Sequence, residues 1–180
     1  MKAHSVSISG CDGYGGGMAL IRILVDGYSL LHSWPELARG KARFSSHARE
    51  ALIQRLTLYQ DASQTPITIF FDGVGAPGGT RPATSKSDVE VIYSRSGQTA
   101  DDLIERAAYR FRDYGEVLAV TDDSAERETV LSLGGLASSC LNFIQTVESV
   151  LAETGEDINH YNRQERQGFR SGTGTGRKKT

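Results

Sequence analysis

Residues 20–27, LIRILVDG, and residues 67–73, ITIFFDG, decide the fold of this chain. Each is a short apolar run that closes on an aspartate and a glycine. Runs of this length fit a strand buried on both faces better than a helix, and buried strands joined by helical segments make parallel sheets. In a parallel sheet all the C-terminal strand ends lie on one edge. Asp26 and Asp72 therefore emerge on the same side, where open α/β sheets bind their ligands. One Asp-Gly pair is an ordinary turn signal, whereas two after buried strands point to a site.

Working outward, residues 45–61 put Ala48, Leu52, Leu56 and Tyr59 at helical spacing, with Ser45 or Ser46 able to cap the start. VEVIYS, residues 89–94, and EVLAVT, residues 116–121, read as a third and a fourth strand. Between them Thr99 stands three residues before Asp102, a capping-box spacing ahead of a helix that turns Leu103, Ile104, Ala107, Ala108 and Phe111 inward. Residues 124–133 and 136–152 read as two more helices, the second with Cys140, Phe143, Ile144, Val147 and Leu151 on its inner stripe. The alternation predicts an α/β fold with a central parallel sheet covered on both faces.

The third and fourth strands bring further acids to the same edge. Asp101 and Asp102 both fall in the first turn of a helix, where any acid is favoured by the helix dipole. Asp102 takes the capping position, which leaves Asp101 as the candidate ligand. Of Asp122 and Asp123, one is expected to cap the helix that begins near Ser124, and spacing favours Asp123 for the site. Asp26, Asp72, Asp101 and Asp123 held close together repel one another unless a cation sits among them. An all-oxygen donor set points to Mg²⁺ or Mn²⁺ rather than zinc. The long irregular segment at residues 73–88 leaves the sheet at Asp72, and its Arg81 and Lys86 are candidate substrate contacts.

Composition narrows the alternatives. The chain has 180 residues, 38% hydrophobic and 23% charged, which suits one domain of ordinary size. Residues 1–17 are Gly- and Ser-rich without apolar periodicity and read as a disordered leader, and Met18 is expected to be the true translation start. The globular domain is expected over residues 18–154 and a flexible basic tail over residues 155–180. The tail carries six Lys or Arg against three Asp or Glu, whereas residues 18–154 carry 13 against 18, a net charge of −5. Without a membrane-length apolar run or a signal-peptide pattern, a cytoplasmic protein is expected. Two cysteines, Cys11 and Cys140, support no disulfide framework. The four histidines lack ligand spacing, and no phosphate-binding GxxxxGK[ST] loop or G-x-S-x-G elbow is present. Trp34, followed by Pro35, is expected to pack in the core or over the crevice.

Taken together, VDGYSLLHSWPEL, AREALIQRL, IFFDG, VIYS with GQTADDLIE, and VTDD resemble the NYN domain of the PIN-like superfamily, in particular its YacP-like branch of bacterial and plastid ribonucleases. The resemblance covers roughly residues 20–150 and rests most on GQTADDLIE. It implies a three-layer α/β/α Rossmann-like fold and a metal-dependent endonuclease site. Asp26 matches the acid of the DGYN motif, Asp72 the acid after the second strand, Asp101 the acid of the TAD motif and Asp123 the acid of the TSD motif. Ser29 stands where the family usually has Asn, and Asp122 where it usually has Ser. Ser29 is a candidate contact for a bound phosphate. The activity implied is endoribonucleolytic cleavage of mRNA or rRNA with Mg²⁺ or Mn²⁺, with the ribosome as a partner. The alternative is a noncatalytic RNA- or ribosome-binding module on the same fold. A phosphohydrolase of the haloacid dehalogenase type would need Asp-x-Asp after the first strand, where the chain has Asp26-Gly27-Tyr28.

Overall fold

The computed structural model describes residues 19–73, 80–81, 88–95 and 97–171, with residues 80–81 and 156–171 described as backbone only. The order of elements is β1 (Leu20–Asp26), α1 (Gly27–Ser33), a 3-10 turn (Pro35–Ala38), α2 (Ser46–Ser63), β2 (Ile67–Phe71), β3 (Thr80–Arg81) and β4 (Glu90–Tyr93). These are followed by α3 (Ala100–Phe111), β5 (Glu116–Val120), α4 (Ser124–Ser132), β6 (Leu136–Ser138) and α5 (Cys140–Ser171). The sheet runs β3-β4-β2-β1-β5-β6. Five of its strands are parallel, and β3 joins the edge antiparallel.

β1 lies at the centre because its apolar residues are needed on both faces. Ile23 and Val25 join one core with Leu30 and Leu31 of α1, Leu52 and Leu56 of α2, and Phe143 and Val147 of α5. Leu24 faces the other core, with Ile104 and Ala108 of α3 and Val130 of α4. The result is the expected three layers. Trp34 is buried in the first core. Among the described residues no helix is long and apolar enough to cross a membrane.

Several elements differ from expectation. The Asp26-Gly27 pair opens α1 rather than a turn, with Asp26 as its N-cap. Residues 136–138 form β6, parallel to Leu118–Val120, where a helix starting at residue 136 is expected. Two glycines account for this. Gly134 takes a left-handed φ of 84°, and a Cβ on Gly135 would lie 2.8 Å from Val130 Cγ1. The chain thus turns sharply off α4 and lies against β5. The backbone of α5 continues to Ser171, so the flexible tail expected from residue 155 is helical up to that point.

Gly27 shows how tightly the strand ends pack. A Cβ there would sit 2.3 Å from the ring of Phe71. Helix propensity alone says that Gly27→Ala should stabilise α1 by about 1 kcal/mol. Overpacking against Phe71 reverses the sign, and urea denaturation is expected to show a loss of about 1–3 kcal/mol. A variant as stable as the parent would mean that Phe71 does not press on the start of α1.

Candidate metal centre at the C-terminal strand edge

The chain runs from β1 outward through β2 to β4, then crosses back to β5 on the opposite side of β1. The strand order therefore reverses between β1 and β5, and the crevice outside their C-terminal ends is the expected place for a ligand. Asp26 ends β1, Asp72 follows β2, and Asp122 and Asp123 follow β5. Because β2 and β5 are the two neighbours of β1, these carboxylates occupy adjacent positions along one edge.

Helix starts fix most of them. Asp26 Oδ1 accepts hydrogen bonds from the amides of Tyr28 (3.0 Å) and Ser29 (3.2 Å), and Oδ2 accepts from Ser29 Oγ at 2.6 Å. Asp72 Oδ1 accepts from the amide of Ala100, the first residue of α3, at 2.7 Å, and Ser94 Oγ lies 3.4 Å away. Asp123 caps α4 through Oδ1, bonded to the amides of Ala125 (2.7 Å) and Glu126 (3.1 Å). Thr99 and Asp102 form the reciprocal capping box at the start of α3, so Asp102 is spent on the helix.

Asp101 and Glu126 have no such anchors. Asp101 is exposed, and among the described residues no hydrogen bond reaches its carboxylate. Its pKa is raised, first by desolvation and then by the charges of Asp26, Asp123, Asp72 and Asp102. All four acids singled out in the sequence thus share one electrostatic field. Glu126 is only 6% exposed. Burial pushes its pKa up to about 7, and Asp101, Asp26 and Asp123 add to the rise. The Thr121 hydroxyl beside it offsets part of that rise, yet neither carboxyl oxygen has a hydrogen bond of good geometry.

Asp26, Asp101 and Glu126 each offer a carboxylate oxygen, and the three lie within 4.8 Å of one another. Asp72 and Asp123 flank this group without joining it at that range. An all-oxygen set containing a buried carboxylate with unused lone pairs fits a hard divalent cation. Sequence reasoning missed Glu126. A signal was present, because Glu126 and Val130 stand four residues apart on the buried face of α4. It also stands three residues after the cap Asp123, the capping-box position, where a glutamate has an ordinary explanation that hid its role.

The remaining candidates fall elsewhere. Ser29 spends its hydroxyl on Asp26. Arg81 is described by its backbone alone, and Lys86 lies outside the described residues. Asp122 has a tethering role: Oδ1 accepts from the Cys140 amide at 2.9 Å and Oδ2 from Ser33 Oγ at 2.8 Å, joining the end of α1 to the start of α5. Desolvation acts to raise its pKa, but these bonds and Arg127 outweigh it and hold the carboxyl below its usual range. Cys140 is fully buried and its thiol is pushed far up by burial, which makes it inert.

A three-layer α/β/α domain with carboxylates gathered where the strand order reverses is the arrangement that the resemblance to the PIN-like class implies. Within that class the chain belongs to the YacP-like NYN domain family, whose family model matches residues 23–173. It is 30% identical over 129 residues to "Uncharacterized protein YacP" of Bacillus subtilis (strain 168), a match that covers 71% of this chain and 75% of that one. Among solved structures it is similar to crystal structures of Rae1 (YacP) from Bacillus subtilis. One matches with a TM-score of 0.68 at 25% identity, covering 84% of this chain and 86% of that one. A tryptophan-to-leucine mutant of the same protein matches with a TM-score of 0.65 at 27% identity, covering 78% and 82%.

The raised pKa of Glu126 has a defined consequence for stability. In the unfolded chain the carboxyl releases its proton near its ordinary value of 4.5, and in the folded chain near 7. Between these values the folded state holds more protons, so stability falls as pH rises through the window and stays lowered above it. In EDTA at pH 8, Glu126→Gln is expected to be more stable than the parent by about 3 kcal/mol, and the difference should vanish below pH 4.5. Added Mn²⁺ should raise the melting temperature of the parent and not that of the variant. A parent melting curve indifferent to both pH and Mn²⁺ would rule out this account of Glu126.

Proposed function

We propose that this protein is a metal-dependent endoribonuclease that hydrolyses RNA phosphodiesters by attack of water. The observation that carries this reading is the grouping of Asp26, Asp101 and the unsatisfied, buried Glu126 at the switch point of a family fold of nucleases. These three would hold Mg²⁺ or Mn²⁺, with Asp72 and Asp123 completing the negative field around them. The metal, when bound, supplies Lewis acidity toward a phosphate oxygen and lowers the pKa of a coordinated water.

The chain's own groups do the positioning. The amides at the starts of α1, α3 and α4 orient Asp26, Asp72 and Asp123. Ser29 acts as a positioning residue, since its hydroxyl holds the second oxygen of Asp26. Water attack suits the side chains present, because among the described residues the buried Cys140 is no nucleophile and Ser29 is engaged. Water attack leaves a 5′-phosphate and a 3′-hydroxyl. Arg81 and Lys86 are proposed to contact the substrate backbone. The family resemblance supports a cytoplasmic role in mRNA decay or rRNA processing linked to the ribosome, with the basic C-terminal segment following an RNA backbone.

Purified protein is expected to cleave RNA in Mn²⁺ or Mg²⁺ and not in EDTA. Asp101→Asn should lower the rate by roughly 100-fold or more, the scale of losing one charge-stabilising group. End-group analysis checks the chemistry, and 2′,3′-cyclic phosphate ends would overturn water attack. Cleavage that persists in EDTA and in the variant would overturn the metal centre itself.

A further inference from the structure

The charge of the domain is unevenly spread. Between Glu36 and Glu50 the chain carries Arg39, Lys41, Arg43, His47 and Arg49 and no acid, in a region whose net charge over residues 18–154 is −5. Arg39, Lys41, Arg43 and His47 are exposed and Arg49 is half-buried. Arg43 Nη1 lies 3.2 Å from His32 Nδ1, and Arg49 Nη1 donates to the Phe44 carbonyl at 2.9 Å. Both contacts orient a guanidinium without cancelling its charge. The arginine-rich stretch of α3 differs: Glu105 and Asp102 are interspersed with Arg106 and Arg110, and Arg112 is paired with Asp113 at 3.4 Å.

A row of aromatic rings ties the basic segment to the acid edge. Phe44, 48% exposed, meets Tyr28 edge to face with 5.4 Å between ring centroids. Tyr28 meets Phe71 at 5.1 Å, and Phe71 stacks on Tyr93 at 5.5 Å. The amide of Tyr28 holds Asp26, and Phe71 immediately precedes Asp72. The row therefore starts beside the metal-site acids and ends in a solvent-facing ring flanked by cations.

An RNA that reaches these acids brings phosphates against their repulsion. Screening limits that interaction to about 8 Å at physiological salt, so compensating charge acts best close to the acids and just outside them. Segment 39–49 offers exposed cations joined to the acid edge through the Phe44–Tyr28 contact. An exposed aromatic among cations is also the combination that holds single strands, whose base faces are free to stack, whereas a duplex hides them.

We infer that residues 39–49, centred on Phe44, form a landing surface for single-stranded RNA, with phosphates along Lys41, Arg43 and Arg49 and an unpaired base against Phe44. The substrate class rests on the nuclease reading above, but binding is measured apart from cleavage. The test uses full-length protein in EDTA and a labelled oligouridine of roughly 12 nucleotides, within the length that such platforms occupy. Affinity is read by fluorescence anisotropy between about 50 and 200 mM salt. Phe44→Ala should weaken binding about tenfold, and Phe44→Trp should restore it, which separates stacking from a folding defect. Lys41→Ala with Arg43→Ala should reduce the salt dependence by roughly 1.4 in log–log slope, about 0.7 per phosphate contact. Arg110→Ala, on α3, should change neither.

Unchanged binding by the Phe44 and Lys41/Arg43 variants would overturn the surface, as would failure of the parent to bind the oligonucleotide. Equal affinity for polyglutamate would overturn it in favour of an acidic protein partner. Unchanged binding alongside cleavage that depends on Asp101 removes the surface and leaves the nuclease. Binding that depends on Phe44, without metal-dependent cleavage, does the reverse.

Discussion

The site depends on backbone amides at helix starts restraining carboxylates that repel one another. Asp26, Asp72 and Asp123 each accept from the first turn of a helix, on α1, α3 and α4. Those amides carry the partial positive charge of the helix ends, so the fold brings its own counter-charge to the acid edge. Asp101 and Glu126 receive no such bond, and both have raised pKa values. The division is informative. The amide-bonded acids are held in place by helix starts, whereas the other two bear the unrelieved part of the repulsion, and they stand with Asp26 in the tightest group. A cation bound there would act on the two carboxylates that gain most from it.

Much of the fold was legible because the strands are continuous apolar runs and the main helices keep a clean stripe. The inner stripe from Cys140 to Val147, for example, lies in the core as its spacing indicates. Short elements escaped for want of period. β6 has three residues, too few to show alternation, and its neighbouring glycines read as helix interruption rather than as a strand entrance. α1 was hidden by Asp-Gly, a turn signal that here marks a cap followed by a residue with no room for a Cβ. Of the site, strand-end aspartates could be found by position alone. Glu126 was harder to find, because a glutamate in the first turn of a helix is ordinarily an exposed, dipole-favoured residue, and its spacing from Val130 gains meaning only once the packing of α4 on the sheet buries it.

The two departures from the family pattern acquire separate meanings in three dimensions. A serine at position 29 lacks an amide donor, yet its hydroxyl reaches Asp26 directly. The aspartate at position 122 turns away from the cluster. It bonds instead to Ser33 and the Cys140 amide, and so fastens α1 to α5. The first contact lies at the site, whereas the second braces two helices.

Both borders of the sheet end in very short strands, two residues in β3 and three in β6. A long, flat border is a template on which a second chain can pair, and brevity is one of the ways proteins blunt it. Among the described residues, borders this short give a neighbouring copy little to extend. The long strands that carry the acids thus lie inside the sheet, and the borders left on either side are the short ones that disfavour edge-to-edge pairing.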